Sequence, residues 1–195
     1  MKGMPASLFN KQGQRLFFNK EERSAFISTA DGAQDTVRTF CNVLHYTGCN
    51  FTEAMNLTFR GIDCGRRTIV FQGSKVSRAV PVPDSLFELL DEVHGIRRAG
   101  LRADERIWPQ TRMTLFTKVT PVIAGAGVSD GPHATPKGIR HGFFVHAIRR
   151  RILLTRLQRW MGHSEIDYTA AHVAELMRYA PELLGNERAD AERLW

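Results

Sequence analysis

The chain has 195 residues, 43% of them hydrophobic, which suits one globular domain with a core and excludes a disordered chain. No run of roughly 18 apolar residues occurs, so no membrane-spanning helix is predicted, and the first residues lack the apolar segment of a secretory signal. The formal net charge of +7 favours a polyanionic partner. We therefore expect a cytoplasmic protein with no membrane partner.

The N-terminal half predicts a flexible arm over residues 1–15, followed by helices around a few strands. Asn19 and Glu22 have the spacing of a capping box and mark the start of the first helix. The helices predicted here are 20–29, 35–48, 51–57 and 84–93. Short β-type segments are predicted at 60–63, 68–71 and 78–82, and the last two are joined by a hairpin loop over 72–77.

The C-terminal half predicts helices only. A charged loop over 95–105 leads to the first of them, and Thr135 with Pro136 has the pattern of an N-cap followed by the first helical position. The helices predicted here are 111–124, 136–151, 153–161, 166–179 and 181–194. The order of elements predicts a mostly helical α+β fold with a small antiparallel sheet.

The three cysteines are odd in number and have no C-x-x-C spacing. Cys41, Cys49 and Cys64 are therefore interpreted as core thiols rather than as disulfide or zinc ligands. No metal and no other cofactor is expected.

Between Asp130 and Glu165 the sequence has no acidic residue. This window contains only basic charges, carried by Lys137, Arg140, Arg149, Arg150, Arg151, Arg156 and Arg159, together with His133, His141, His146 and His163. A stretch of one charge sign inside a mixed-charge chain is typical of a surface that meets phosphates.

Five segments, in order, resemble the conserved blocks of tyrosine recombinases, the phage integrases. These are 44–57, with its Tyr-Thr-Gly and Glu-Ala; Lys75 in the hairpin loop; Lys137-x-x-Arg-His141; Gly162-His-Ser164; and 166–173. They span about residues 16–195, which the resemblance identifies as an integrase-like catalytic domain without the N-terminal core-binding domain that usually precedes it.

In that family a tyrosine attacks the scissile phosphate, two arginines hold its oxygens, and a lysine protonates the leaving oxygen, with no metal or nucleotide required. The resemblance assigns the second arginine to Arg140 and the hairpin lysine to Lys75. Lys137 matches the position that is histidine or lysine, and His163 matches the Gly-His position.

The first arginine is replaced by Asn50, and the nucleophilic tyrosine by His172. Asn50 has a structural use as the N-cap of the helix that follows. Tyr168 lies one helical turn before His172 and is the candidate substitute nucleophile, although a shift of one turn moves its oxygen by about 5 Å. The sequence thus predicts a DNA-binding protein of this fold that lacks strand cleavage and joining and acts in DNA recombination, element maintenance or regulation.

Two alternatives remain open: an active site-specific recombinase that uses Tyr168 or a nucleophile supplied in trans, and a scaffold that binds no DNA. The expected partner is double-stranded DNA, contacted by Lys75, Arg78, Lys137, Arg140, Arg149, Arg150 and Arg151. The arginine triplet is equally consistent with an exposed helix end, where cations offset the helix dipole. Lys75 and Arg78 are interpreted as solvated side chains unless DNA lies against the hairpin. The segment 181–194 resembles the family helix that docks on a neighbouring subunit. We expect equally that it docks on its own chain or on a second copy, which would form a homo-oligomer.

Overall fold

The computed structural model describes residues 7–72, 77–128 and 131–185, together with Glu192. The α-helices are α1 (Lys20–Asp31), α2 (Asp35–Thr47), α3 (Phe51–Met55), α4 (Asp84–His94), α5 (Arg112–Gly125), α6 (Pro136–Arg149), α7 (Leu154–Met161) and α8 (Ile166–Tyr179). The strands are β1 (Ile62–Asp63), β2 (Thr68–Phe71) and β3 (Arg78–Pro81). The prediction of a mostly helical α+β fold is confirmed.

The three strands form one antiparallel sheet in the order β1-β2-β3. Ile69 of β2 pairs with Val80 of β3, and both are buried on the face that packs against the main core. Phe71 pairs with Arg78, which begins β3. The tip of the predicted hairpin loop, residues 73–76 with Lys75, lies outside the described residues.

Local signals set the ends of the helices that build the site. The capping box at α1 is present, with Glu22 N–H donating to Asn19 Oδ1 at 2.8 Å. Gly48 ends α2 in the left-handed conformation at a φ of +59°. Thr135 Oγ1 accepts the Gly138 N–H at 3.1 Å and thereby caps α6.

The core has two parts. The larger one surrounds α2 and contains Phe26, Phe40, Phe87 and Trp108, all nearly inaccessible to solvent. The smaller one lies between α6, α7, α8 and the N-terminal segment. No helix within the described residues is long and apolar enough to cross a membrane.

The prediction of a loose N-terminal arm is wrong for residues 7–15. Leu8 and Phe9 are buried in the smaller core, and Phe9 forms an isolated β-bridge with Arg15. Glu175 of α8 accepts the Leu8 N–H at 2.7 Å and the Ser7 hydroxyl at 2.6 Å. The apolar pair and these distant hydrogen bonds hold the segment on the domain, while residues 1–6 lie outside the described part of the chain.

Two further predictions need correction. The helix expected from Pro181 begins as a short 3₁₀ turn over Pro181–Leu183, and Gly185 follows at a φ of +99°. Most of the remainder of that predicted helix, 186–191 and 193–194, lies outside the described residues. Cys41 and Cys49 are buried thiols, but Cys64 is exposed in the turn between β1 and β2.

Candidate functional site

A cavity of about 780 Å³ opens where the beginnings of α3, α5 and α6 meet the segment from α7 to α8. Six of the residues predicted for the site line it together: Asn50, Lys137, Arg140, His163, Tyr168 and His172. Three of the lining side chains are cationic, those of Arg112, Lys137 and Arg140. No carboxylate lines the described part of the wall. The structure therefore joins residues that are more than 120 positions apart in the sequence into one electropositive hollow.

The first turn of α6 forms the cationic floor of this cavity. Lys137 and Arg140 are three residues apart, so they lie on one face of the helix, and Lys137 is exposed. The positive end of the α6 dipole adds to their charge. A Cβ at Gly138 would lie 1.9 Å from the His133 carbonyl oxygen, so the turn that positions both cations requires glycine.

Backbone carbonyls fix the guanidinium of Arg140. Nη1 donates to the Gly48 carbonyl oxygen and Nη2 to that of Met161, each at 2.6 Å. Both carbonyls belong to helix ends, where they lack intrahelical partners. Burial lowers the pKa of Arg140, and the neighbouring Arg78 lowers it further, but a guanidinium remains cationic.

The structure corrects the prediction that Arg78 contacts DNA from the hairpin. Its side chain is only 6% exposed, because the first residue of β3 faces the carboxylate of Glu53. Nε and Nη2 bind the two oxygens of Glu53 at 3.2 and 2.8 Å, Nη1 donates to the Trp160 carbonyl oxygen, and the guanidinium lies over the Phe71 ring. In this arrangement Arg78 supports the cavity wall from behind.

Asn50 serves as the N-cap of α3, which confirms its structural interpretation. Its Oδ1 accepts the Glu53 N–H at 2.8 Å, and Glu53 Oε2 accepts the Asn50 N–H at the same distance. The Asn50 side chain is neutral and its oxygen is occupied by the cap. It therefore offers no charged fork to an anion.

The ring of His172, which the sequence resemblance predicts at the nucleophile position, is buried. Its ring centre lies 5.6 Å from that of His163, 6.1 Å from that of His141 and 5.1 Å from that of Phe144. Its Nδ1 has no hydrogen-bond partner among the described residues, and the nearest carboxylate oxygen, on Glu175, is 3.8 Å away. Burial lowers the pKa of His172, which favours the neutral ring.

The two neighbouring histidines are also neutral at physiological pH. Burial, with a smaller effect of Arg140, lowers the pKa of His163 to about 4, and its Nδ1 lies 3.0 Å from Thr169 Oγ1. Burial likewise lowers the pKa of His141 to about 4, and its Nδ1 lies 2.9 Å from the Leu16 carbonyl oxygen. Three neutral imidazoles thus lie beside the cations and can exchange hydrogen bonds without adding charge.

Tyr168 lines the same cavity and is partly exposed. It lies on α8 one turn before His172, and its hydroxyl makes no hydrogen bond to another described residue. The hydroxyl is therefore not committed to a structural contact within the described part of the chain.

Sequence reasoning missed two residues of the site. Glu53 is the carboxylate that joins the α3 cap to Arg78, and it lies 3.9 Å from Arg140. Arg112 begins α5 and lines the cavity next to Phe51 and Thr52. Its signal was an arginine directly after the N-cap Thr111, where a cation opposes the helix dipole and is unfavourable unless something offsets it.

The arginine triplet lies away from the cavity. Arg149, Arg150 and Arg151 are exposed at the opposite end of α6, and none of them lines the hollow. The helix rise of about 1.5 Å per residue puts Arg149 roughly 18 Å along the axis from Lys137. Their contact with DNA stays a prediction.

Among the described residues, no group of three or more His, Cys, Asp or Glu side chains could hold a metal ion.

Residues 17–178 match the model of the phage integrase family. The tyrosine recombinase XerA of Thermococcus kodakarensis is 24% identical over 173 residues, which cover 84% of this chain and 60% of the relative. The integrase of Escherichia phage P2 is 23% identical over 168 residues, covering 86% of this chain and 44% of that protein. The chain therefore spans roughly half of the length of these relatives.

Solved structures agree on the fold. The XerH site-specific recombinase bound to its difH substrate, in a pre-cleavage complex, matches with a TM-score of 0.69 and 21% identity, over 86% of this chain and 52% of that one. The catalytic domain of bacteriophage HP1 integrase matches with a TM-score of 0.61 and 19% identity, over 85% of this chain and 95% of that one. Since the family model covers most of the sequence and the similar structures share its architecture, the chain belongs to the phage integrase family and has the fold of a tyrosine recombinase catalytic domain.

Proposed function

We propose that the chain binds double-stranded DNA through this cavity, which holds a backbone phosphate, and that it does not cleave or join strands. The observation that carries the proposal is the convergence of Lys137 and Arg140 in one cavity whose described wall has no carboxylate. We assign this role to the domain predicted over residues 16–195, extended by the packed residues 7–15. DNA recombination, element maintenance and regulation are the processes such a domain would serve.

Phosphate binding follows from how the cations are held. Two carbonyl hydrogen bonds orient the Arg140 guanidinium, so little side-chain entropy remains to be lost when an anion binds. Lys137 adds an exposed charge, and the beginning of α6 adds the partial charge of its unpaired N–H groups. A phosphodiester oxygen is the ligand that suits such a set of donors.

The proposed loss of strand cleavage rests on His172 and Asn50. A nucleophile must approach its target within about 3–3.5 Å, whereas the His172 side chain is 4% exposed and enclosed by aromatic rings. Asn50 supplies no charge to the developing transition state. One missing oxyanion donor costs about 2.7–4 kcal/mol in the barrier, even before the nucleophile is considered.

Binding is tested by fluorescence anisotropy with a labelled duplex over a series of salt concentrations. We expect affinity to fall steeply between about 50 and 200 mM salt, because each neutralised phosphate releases counterions. Lys137→Ala should weaken binding on all sequences and reduce the salt slope by about one. Arg98→Ala is the matched control, since it removes one exposed cation that does not line the cavity. A wild-type protein with no measurable affinity at low salt would support the scaffold alternative instead.

A second candidate function, an active recombinase, is favoured by one observation. Tyr168 lines the cavity, and its hydroxyl is not used in a contact with another described residue. Incubation with a suicide DNA substrate would then give an adduct that survives denaturation and disappears in Tyr168→Phe. Tyr179→Phe is the control, because Tyr179 is exposed on the same helix outside the cavity. An adduct that persists in Tyr168→Phe but needs a second protein would indicate a nucleophile supplied in trans.

The homo-oligomer stays a prediction. Leu183 and Leu184 pack in cis against the smaller core. Most of the segment that would reach a neighbouring subunit lies outside the described residues.

A further inference from the structure

Arg112 is a cation on the cavity wall that no described carboxylate neutralises. It lies at the first position of α5, and its side chain is exposed. Some other exposed arginines are paired with carboxylates: Arg60 binds Asp104 at 2.7 Å, and Arg97 binds both Glu88 and Asp91. Within the described residues, Arg112 has no carboxylate inside 4 Å and makes its contacts with Thr52 and Phe51 instead.

Those two contacts hold the guanidinium in place at the cavity wall. Nη1 donates to Thr52 Oγ1 at 3.1 Å, and the guanidinium lies 5.2 Å from the centre of the Phe51 ring. Phe51 is itself buried and packs edge-on against Phe40, so it forms a rigid platform. A stacked guanidinium keeps its planar fork available for a second ligand.

The position of Arg112 is unfavourable without an anion. The beginning of α5 carries the positive end of its dipole, and a cation there costs a few tenths of a kcal/mol or more. The same cavity already contains the charges of Lys137 and Arg140 and the beginning of α6. A bound anion would relieve the mutual repulsion of all of these groups at once.

We propose that Arg112 is a phosphate-binding residue of the cavity and supplies the second guanidinium that holds the DNA backbone. The proposal rests on the proposed function, since it assigns a further ligand to the same phosphate. Asn50, which lines the same cavity, cannot supply a second charged group to the phosphate, because its side chain is neutral and its oxygen caps α3. Arg140 and Arg112 come from different helices and would bind the phosphate together as two planar donors.

The test compares Arg112→Ala, Arg112→Lys and Arg98→Ala by anisotropy with a labelled mixed-sequence duplex of roughly 30 base pairs across a salt series. Arg112→Ala should weaken binding about tenfold and lower the salt slope by about one, equally for unrelated sequences. Arg112→Lys should keep the slope, because the charge remains, and lose part of the affinity, because an ammonium cannot form a bidentate fork. Arg98→Ala removes the same charge and should change neither quantity appreciably.

The outcomes separate this proposal from the proposed function. If wild-type protein binds DNA and Arg112→Ala binds with the same affinity and slope as Arg98→Ala, Arg112 is not a phosphate ligand. If wild-type protein does not bind the duplex at low salt, the proposed function itself fails. The far-ultraviolet circular dichroism and urea midpoint of each variant are compared with wild type, and Arg112→Lys provides the decision if the alanine variant is destabilised.

Discussion

The carboxylate of Glu53 lies between two buried guanidinium groups, and its replacement by the equal-sized amide of glutamine tests how the cavity wall is held. Glu53 binds Arg78 through both oxygens and lies 3.9 Å from Arg140, with the side chains of the three residues only 16%, 6% and 18% exposed. Removing one partner of a buried ion pair typically costs about 3–5 kcal/mol, since the other charge stays buried. Here two arginines would be left, so we expect Glu53→Gln to lose at least that much.

This loss is large compared with the total stability of about 5–15 kcal/mol expected of a domain. At roughly 2–4 °C per kcal/mol for a chain of this size, the thermal midpoint should fall by about 6–20 °C. Urea unfolding followed by circular dichroism measures the difference directly. Glu88→Gln is the control, because Glu88 pairs with Arg97 while its side chain is 54% exposed, and the midpoint should then change little. A Glu53→Gln midpoint equal to that of Glu88→Gln would refute the view that Glu53 holds the wall.

The stability that Glu53 contributes should also depend on pH, in a direction that its pKa determines. Burial raises the pKa of Glu53, but the hydrogen bond and charge of Arg78, the Asn50 N–H and Arg140 lower it more, so that it lies below its usual 4.5. Because the folded-state pKa is depressed, this stabilisation is complete above pH of about 4.5 and is lost as the pH falls through the folded-state value. The loss below pH 4.5 should be smaller in Glu53→Gln than in wild type.

Two further predictions concern the rest of the wall. Gly48→Ala should destabilise the fold by more than about 1–2 kcal/mol, because Gly48 has a φ of +59° and a Cβ there would lie 2.4 Å from Phe143 Cδ1. Gly127→Ala, at a φ of +75° with open space around it, isolates the cost of the backbone alone, and equal urea midpoints for the two variants would contradict the steric argument. The pKa values of His141 and His163 are about 4 in the folded protein and about 6.5 when unfolded, so stability should fall as the pH drops from about 6.5 toward 4. A urea midpoint that stays constant between pH 7 and pH 5 would show that these rings are not buried as neutral groups.

The sequence predicted correctly those features of the fold that depend on contacts between residues close together in the chain. The starts and ends of helices depend on groups within one turn, as with Asn19 and Glu22 at α1 or Thr135 and Gly138 at α6, and these predictions agree with the structure. The predicted strand at 68–71 was also located correctly, because alternating residues bury one face of the sheet.

Long-range contacts account for the errors. Leu8 is held by Glu175, which lies 167 positions away, so composition alone could not reveal that the arm packs. Arg78 was expected at an exposed hairpin, but its partners Glu53 and Trp160 are 25 and 82 positions distant. The prediction that the site residues lie together came from the resemblance to a family and not from their spacing in the sequence. Arg112 belongs to none of the matching segments and was therefore missed.

The hydrogen bonds that orient Arg140 and begin α6 do not include His172. Arg140 is oriented by the carbonyls of Gly48 and Met161, and the beginning of α6 is set by the Thr135 cap. None of these bonds involves His172, whose ring packs on Phe144 from α6 and on His163 after α7. If His172 stands where the family has its tyrosine, as the sequence resemblance implies, that exchange leaves the contacts of the cationic pocket in place. Under the proposed function, phosphate binding would then depend on contacts that do not include His172.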